Sequence, residues 1–307
     1  MRSLFFRSRF GIGIILTVLF LQSIPVHRAQ AWTITTRSEP DPPRASSWTL
    51  TTLPVGHGDA HVLESPDGQI SVIDTGSTET VDRLIDHLDR NEIESIDRIV
   101  ITHPHWDHIG GTLRLLDEFS VERILRPDLK HPTKLTHRIE NRIREENVPV
   151  RKTTRGDTFN VGGGNYAQVL NPGDTSSGGL NRNSVAFYTN IGQVTLLMMG
   201  DVVGSAENEL LNRDLLPEAD ILKVAHHGNA NGTSRRFLKR VEPALALLPA
   251  PLRKNDPWGK PDPELIRRLQ NFRIPTFQTG KVGTISVRFD RQTLRTVEID
   301  PSQRRNA

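Results

Sequence analysis

The chain has 307 residues, with 39 Lys and Arg against 36 Asp and Glu, 11 His and no cysteine. That length holds one large domain or two small ones. Without cysteine, disulfide frameworks and thiolate metal sites are excluded, so any metal must be held by His, Asp or Glu.

Residues 1–31 begin with basic residues, continue with an apolar run from Phe10 to Leu21 and end in Ala29-Gln30-Ala31. This is the pattern of a secretory signal with a small-residue cleavage site. The run is shorter than the roughly 20 apolar residues that span a bilayer, which favours cleavage over a membrane anchor. The expectation is an exported protein, periplasmic or secreted, with no stable membrane span once the signal is removed. Loss of Arg2, Arg7, Arg9 and Arg28 with that segment lowers the basic count from 39 to 35, against 36 acids. Global charge therefore identifies no partner.

Residues 32–47, "WTITTRSEPDPPRASS", are polar and proline-rich and read as a linker. One domain is expected over 48–300, followed by a polar tail at 301–307. "TLTTLPV", "AHVLES" and "ISVIDTG" read as short strands between turn residues. "TETVDRLIDHLDRNEI" places Val81, Leu84, Ile85 and Leu88 at helical spacing. "IDRIVIT" is a buried-strand run that leads to His103. Further on, "TLRLLDEF" and "PTKLTHRIENRIREENV" read as helices and "VERILRP" as a strand, while "SVAFYTN" and "QVTLLMMG" form a hairpin. "ADILKVAHHG" is a strand ending in histidines, and helix and strand alternate to "TISVRFD". The pattern predicts an α/β fold, an αββα sandwich with helices outside two packed sheets.

The chemistry concentrates in His103, His105, Asp107 and His108, spaced H-x-H-x-D-H after an apolar strand. Neutral imidazole and carboxylate suit zinc and its first-row neighbours. In an extended segment alternate residues share a side, so His103 and His105 face one way. The turn that follows directs Asp107 and His108 to a second point, and two adjacent metals fit the spacing better than one. "LLMMGD" ends a strand at Asp201, and "ILKVAHHG" ends another at His226 and His227.

These motifs, with "LPVGHGDAHVLESPDGQISVIDTG", "NRNSVAFY" and "PWGKPDPELIRRL", resemble the metallo-β-lactamase superfamily over roughly residues 48–290. Within it the chain resembles the soluble hydrolase domain of ComEC-type DNA-uptake proteins. The resemblance implies a metal-dependent hydrolase with two divalent cations, zinc or manganese. His103 and His105 would hold one cation, and Asp107 and His108 the other. Asp201 would bridge, and His227, preferred over its neighbour His226, would complete the second. Asp74 would support the motif loop from behind, and Asp107 would also orient the attacking water. Three departures stand out. His57 replaces a glutamine of the ComEC-like opening. No histidine lies between His137 and His226, which leaves Asn183 or water as a weak ligand of the first cation. Lys260 stands where that branch often has histidine, and would hold an anionic substrate.

Such a site identifies hydrolysis rather than the bond. Phosphodiester cleavage, in a nucleic acid or another phosphodiester, ranks first by resemblance. Between Glu122 and Arg155, ten Lys and Arg stand against five Asp and Glu, and Lys134, Arg138 and Arg142 share one helix face. A lactone or β-lactam hydrolase and a non-catalytic metal-binding envelope module are the alternatives.

Overall fold

The computed structural model describes residues 33–36, 47–173, 178–291 and 295–302. The expected signal, residues 1–31, lies outside the described residues, as do 37–46 of the expected linker and 303–307 of the tail. The strands in chain order are β1 (Thr33–Thr36), β2 (Trp48–Thr52), β3 (Ala60–Glu64), β4 (Ile70–Thr75), β5 (Ser95–Ile96), β6 (Arg98–Val100), β7 (Ser120–Val121), β8 (Ile124–Arg126) and β9 (Val150–Lys152). They continue as β10 (Thr158–Gly162), β11 (Asn165–Asn171), β12 (Ala186–Ile191), β13 (Val194–Met198), β14 (Ile221–Lys223), β15 (Leu245–Leu248), β16 (Thr276–Gln278), β17 (Thr284–Phe289) and β18 (Arg295–Asp300). The α-helices are α1 (Asp82–Arg90), α2 (Trp106–Ile109), α3 (Thr112–Glu118), α4 (Lys134–Glu145), α5 (Ser205–Asn212), α6 (Arg235–Val241), α7 (Pro263–Asn271) and α8 (Thr279–Val282).

Two large sheets result, ordered β1-β18-β17-β2-β3-β4-β6-β8-β9 and β10-β11-β12-β13-β14-β15-β16. Strand alternation explains why they pack face to face. Trp48, Leu50 and Leu63 from one sheet, and Phe187, Leu196, Met198, Ile221 and Leu245 from the other, form the inter-sheet core. Their neighbours face outward to helices: Val62 and Val72 meet Leu84 and Leu88 of α1 and Ile139 and Ile143 of α4. On the other side Leu197, Leu222 and Ala246 meet Phe237 of α6 and Leu265 and Leu269 of α7. The layers are helix, sheet, sheet, helix, as expected.

Within the segment read as a linker, Thr33–Thr36 add a parallel strand beside β18. The edge of β18 offers unpaired backbone groups that a polar, β-branched segment can satisfy, so four residues of a proline-rich stretch become ordered strand. Among the described residues no helix is long and apolar enough to cross a membrane.

Strands β4, β6, β8 and β9 run parallel in the first sheet, and β13 to β16 run parallel in the second. The chain leaves β4 at Asp74, β6 towards His103, β13 towards Asp201 and β14 towards His226 and His227. Carboxyl ends of parallel strands therefore deliver the chemistry from both sheets to one end of the sandwich.

Candidate metal centre

Asp74 fixes the motif loop. Its backbone has φ of 55°, a left-handed conformation that Asp tolerates better than most residues. Its Oδ1 accepts from Thr102 N at 2.7 Å, and its Oδ2 accepts from Thr102 Oγ1 at 2.7 Å. Oδ2 also lies 2.8 Å from His108 Nδ1. With Nδ1 donating to this carboxylate, His108 Nε2 is left as a lone-pair donor facing inward. The one-turn helix α2 carries Asp107 and His108 together, and its close approach to the Gly56–Asp59 loop requires Gly58. Gly58 has φ of 135°, and a Cβ there would overlap the Asp107 carbonyl oxygen.

The second sheet brings the partners. Asp201 Oδ2 lies 3.7 Å from His103 Nε2, 3.4 Å from His108 Nε2, 3.7 Å from His226 Nε2 and 3.6 Å from His227 Nε2. Asp107 Oδ2 lies 3.4 Å from Nε2 of both His108 and His227. Metal–ligand bonds of about 2.0–2.2 Å at tetrahedral angles put neighbouring ligand atoms about 3.4 Å apart. Two of the atoms that face the centre, His108 Nε2 and His227 Nε2, are buried without a hydrogen-bond partner. Buried polar atoms are ordinarily paired, so this convergence of orphaned donor atoms fits divalent cations. His226 and His227 are both left-handed, with φ of 48° and 51°. Two successive residues in that region carry strain that collects at functional sites.

The other expected residues fall at varying distances from this convergence. His105 Nδ1 meets His103 Nε2 at 2.8 Å, while its ring packs edge-on against His103. Asn183 is buried and turns its amide to the Gly179 carbonyl. Its neighbour Asn181 reaches inward, with Nδ2 3.0 Å from His226 Nε2. Lys260 Nζ pairs with Asp262 Oδ2 at 2.8 Å, so its charge is offset within its own loop. On α4, Arg142 pairs with Asp117 at 2.6 Å and with Glu146 at 3.3 Å, which reduces the expected basic stripe to the exposed Lys134 and Arg138.

Two residues that sequence reading passed over prove central. Asp59 and Lys223 form an ion pair, and both are fully buried. Lys223 Nζ also donates to the Gly200 carbonyl at 2.8 Å and stands 3.8 Å from Asp201 Oδ1. Asp59 Oδ1 lies 3.4 Å from His227 Nδ1, close enough to act on its charge, while that Nδ1 has the Pro249 carbonyl at 3.3 Å as its hydrogen-bond partner. The available signal was periodicity: two residues after Ile221, Lys223 faces the inter-sheet layer rather than solvent.

The electrostatics agree with a cation site. Burial alone would raise the carboxyl pKa values, yet His108, His227 and His103 hold Asp201 well below the usual range. Burial by itself would lower His227, but Asp201 and Asp59 outweigh it and push the imidazole up to about 10. His108 is raised well above its ordinary value against burial, by Asp201, Asp107 and Asp74. Carboxylates dominate the cluster and draw positive charge into it. The Lys223→Met variant is expected to lose about 3–5 kcal/mol of stability, because Asp59 remains buried without its partner. Urea denaturation of the metal-free protein measures this, and a loss below about 1 kcal/mol would show that water relieves Asp59.

Residues 53–250 match the family model described as the metallo-beta-lactamase superfamily. "ComE operon protein 3" of Bacillus subtilis is 27% identical over 254 residues, which cover 77% of this chain and 32% of that protein. "Recombination protein 2" of Haemophilus influenzae is 25% identical over 248 residues, 79% of this chain and 29% of that protein. The chain thus spans about a third of the length of these relatives. Among solved structures, the metallo-beta-lactamase fold protein YhfI from Bacillus subtilis aligns with a TM-score of 0.52 and 14% identity, over 78% of this chain and 96% of that one. CmlA, a diiron β-hydroxylase from Streptomyces venezuelae, aligns with a TM-score of 0.54 and 18% identity, over 82% of this chain and 55% of that one. At such identities these two likenesses describe the fold alone. The matched family model, the αββα layers and the His/Asp cluster lead to one conclusion: the chain belongs to the metallo-beta-lactamase superfamily of metal-dependent hydrolases.

Proposed function

We propose that the protein hydrolyses phosphodiester bonds in single-stranded nucleic acid, acting after export. The observation that carries the substrate reading is a pair of tryptophans at the metal centre. Trp106 and Trp258 are 45% and 53% exposed, and their ring centroids lie 6.0 Å apart. Trp106 separates His105 from Asp107 in sequence, and the Trp258 ring lies 4.2 Å from that of His57. Exposed aromatic rings accept any base face, and such stacking is tolerant of sequence. The similarity to the ComEC-type relatives supports the same reading.

In this reading His103, His105 and Asp201 would hold one cation, and Asp107, His108, Asp201 and His227 the other. When bound, two divalent cations would supply Lewis acidity and lower the pKa of a water. Asp107 would orient the attacking water. Asp74 and the Pro249 carbonyl keep His108 and His227 in the tautomer that faces the centre, and Lys223 holds Asp59 in place. Trp106 and Trp258 position the bases beside the scissile bond, and the exposed Lys134 and Arg138 lie on the helix next to the motif loop.

The test is a substrate panel on purified protein supplied with Zn²⁺ or Mn²⁺. It comprises single-stranded DNA and RNA, bis(4-nitrophenyl) phosphate, a homoserine lactone, nitrocefin and S-lactoylglutathione. The last is included because relatives named hydroxyacylglutathione hydrolase also match, one at 25% identity over 145 residues. The polynucleotides should give the highest kcat/KM. A higher value for the lactone, β-lactam or thioester would replace this reading, and bound metal without turnover would favour a non-catalytic module. Export rests on residues 1–31, and the intact mass of the mature protein should correspond to a chain beginning near Trp32.

A further inference from the structure

We infer that His57 is a ligand of the cation held by Asp107, His108 and His227, which makes this cation site richer in histidine than its motifs indicate. The inference rests on reading the cluster as a metal centre, but not on the substrate. His57 Nε2 lies 3.7 Å from Asp107 Oδ2. That oxygen therefore has three imidazole Nε2 atoms around it, from His57, His108 and His227, at 3.4–3.7 Å. His57, Asp107 and His227 each offer a ligand atom within 4.8 Å of the others. The 3.4–3.7 Å separations are those of neighbouring ligands of one ion.

The back of the ring is built as in His108. His57 Nδ1 lies 2.8 Å from Asp256 Oδ1, and the Asp256 side chain is completely buried. Nδ1 donates to this carboxylate, so Nε2 carries the lone pair that faces Asp107. His108 is held in this way by Asp74, while His227 Nδ1 faces the Pro249 carbonyl at 3.3 Å. A carboxylate or carbonyl behind an imidazole fixes tautomer and orientation and strengthens the nitrogen as a ligand. Trp258 covers one side of the His57 ring and His227 approaches it at 4.5 Å between centroids, so the imidazole has little freedom to turn away. A surface histidine paired with a carboxylate needs none of this convergence. The backbone also aims it: Gly56 and Gly58 flank His57 with φ of 74° and 135°, conformations that let the loop fold onto α2.

The test uses the full chain, stripped of metal and reloaded with Co²⁺ or Zn²⁺. In proton NMR of the Co²⁺ form, each histidine bound through Nε2 contributes a paramagnetically shifted, exchangeable Nδ1–H signal. His57→Gln should remove one such signal. It should also weaken Zn²⁺ binding, measured by chelator competition, by about 10-fold or more, whereas Asp256→Asn should keep the signal, hasten its exchange and weaken binding within about 10–100-fold. Matching thermal midpoints of the metal-free proteins show that the fold is retained. If His57→Gln does not fold, Asp256→Asn decides alone. An unchanged set of signals and unchanged affinity in the folded variants would overturn the inference. If wild type shows the His57 signal yet cleaves no phosphodiester, the substrate proposal falls and the ligand stands. If wild type takes up no divalent metal, the metal-centre reading itself fails.

Discussion

His108→Ala is expected to lose its metal far more readily than His105→Ala, and to lose hydrolysis with it. His108 Nε2 stands 3.4 Å from both Asp107 and Asp201, while its Nδ1 is locked by Asp74. Removing it opens both carboxylates to each other and leaves Asp74 buried without one of its hydrogen-bond donors. His105 faces His103 instead, with no carboxylate behind its ring among the described contacts. Loss of an outer partner of a metal ligand costs about 10–100-fold in affinity, so loss of His108 itself should exceed about 100-fold. The His105 variant should stay nearer to 10-fold. Elemental analysis after dialysis against a weak chelator, followed by turnover of bis(4-nitrophenyl) phosphate, measures both. Equal metal loss in the two variants would mean that the two cations depend on each other through Asp201 and do not occupy sites of unequal strength.

Trp106→Ala should weaken binding of single-stranded polynucleotide by about 1–3 kcal/mol, roughly 5- to 150-fold in Kd. Because the substitution removes a stacking face and no charge, the loss should be the same at every ionic strength. The slope of log affinity against log salt should therefore remain that of wild type. Lys134→Glu with Arg138→Glu should do the reverse, flattening the slope because phosphate contacts are lost. Metal content should be unchanged in both variants, since neither alters a group of the cluster. Trp258→Ala is a weaker test, because that ring also packs on His57. Fluorescence anisotropy with a labelled oligonucleotide across a salt series separates these contributions. An unchanged Kd in Trp106→Ala would return the tryptophan pair to ordinary exposed surface and remove the main support for a nucleic-acid substrate.

The sequence by itself determined the layered α/β fold, because short apolar runs such as Val194–Met198 and Leu245–Leu248 mark strands buried on both faces, and helical spacing in Leu84, Ile85 and Leu88 marks their cover. It also singled out His103, His105, Asp107, His108, Asp201 and His227 as candidate metal ligands, since a run of His and Asp directly after an apolar strand has few other uses. Tertiary structure alone decided the rest. Lys223 is a charged residue in an apolar strand, and only the packing of two sheets shows that the group it meets is Asp59, which lies 164 positions away in the chain. Asp256 belongs to a loop with no local sign of function until folding sets it behind His57, and Arg142 reads as a free cation until α3 brings Asp117 beside it. Thr33–Thr36 read as linker because a lone polar segment gains nothing from extension, whereas the open edge of β18 supplies its hydrogen bonds. Periodicity records which way a residue faces within its own element. Which charge it meets depends on distances closed by the whole fold, and those decide whether a buried group is paired, orphaned or ready to hold a cation.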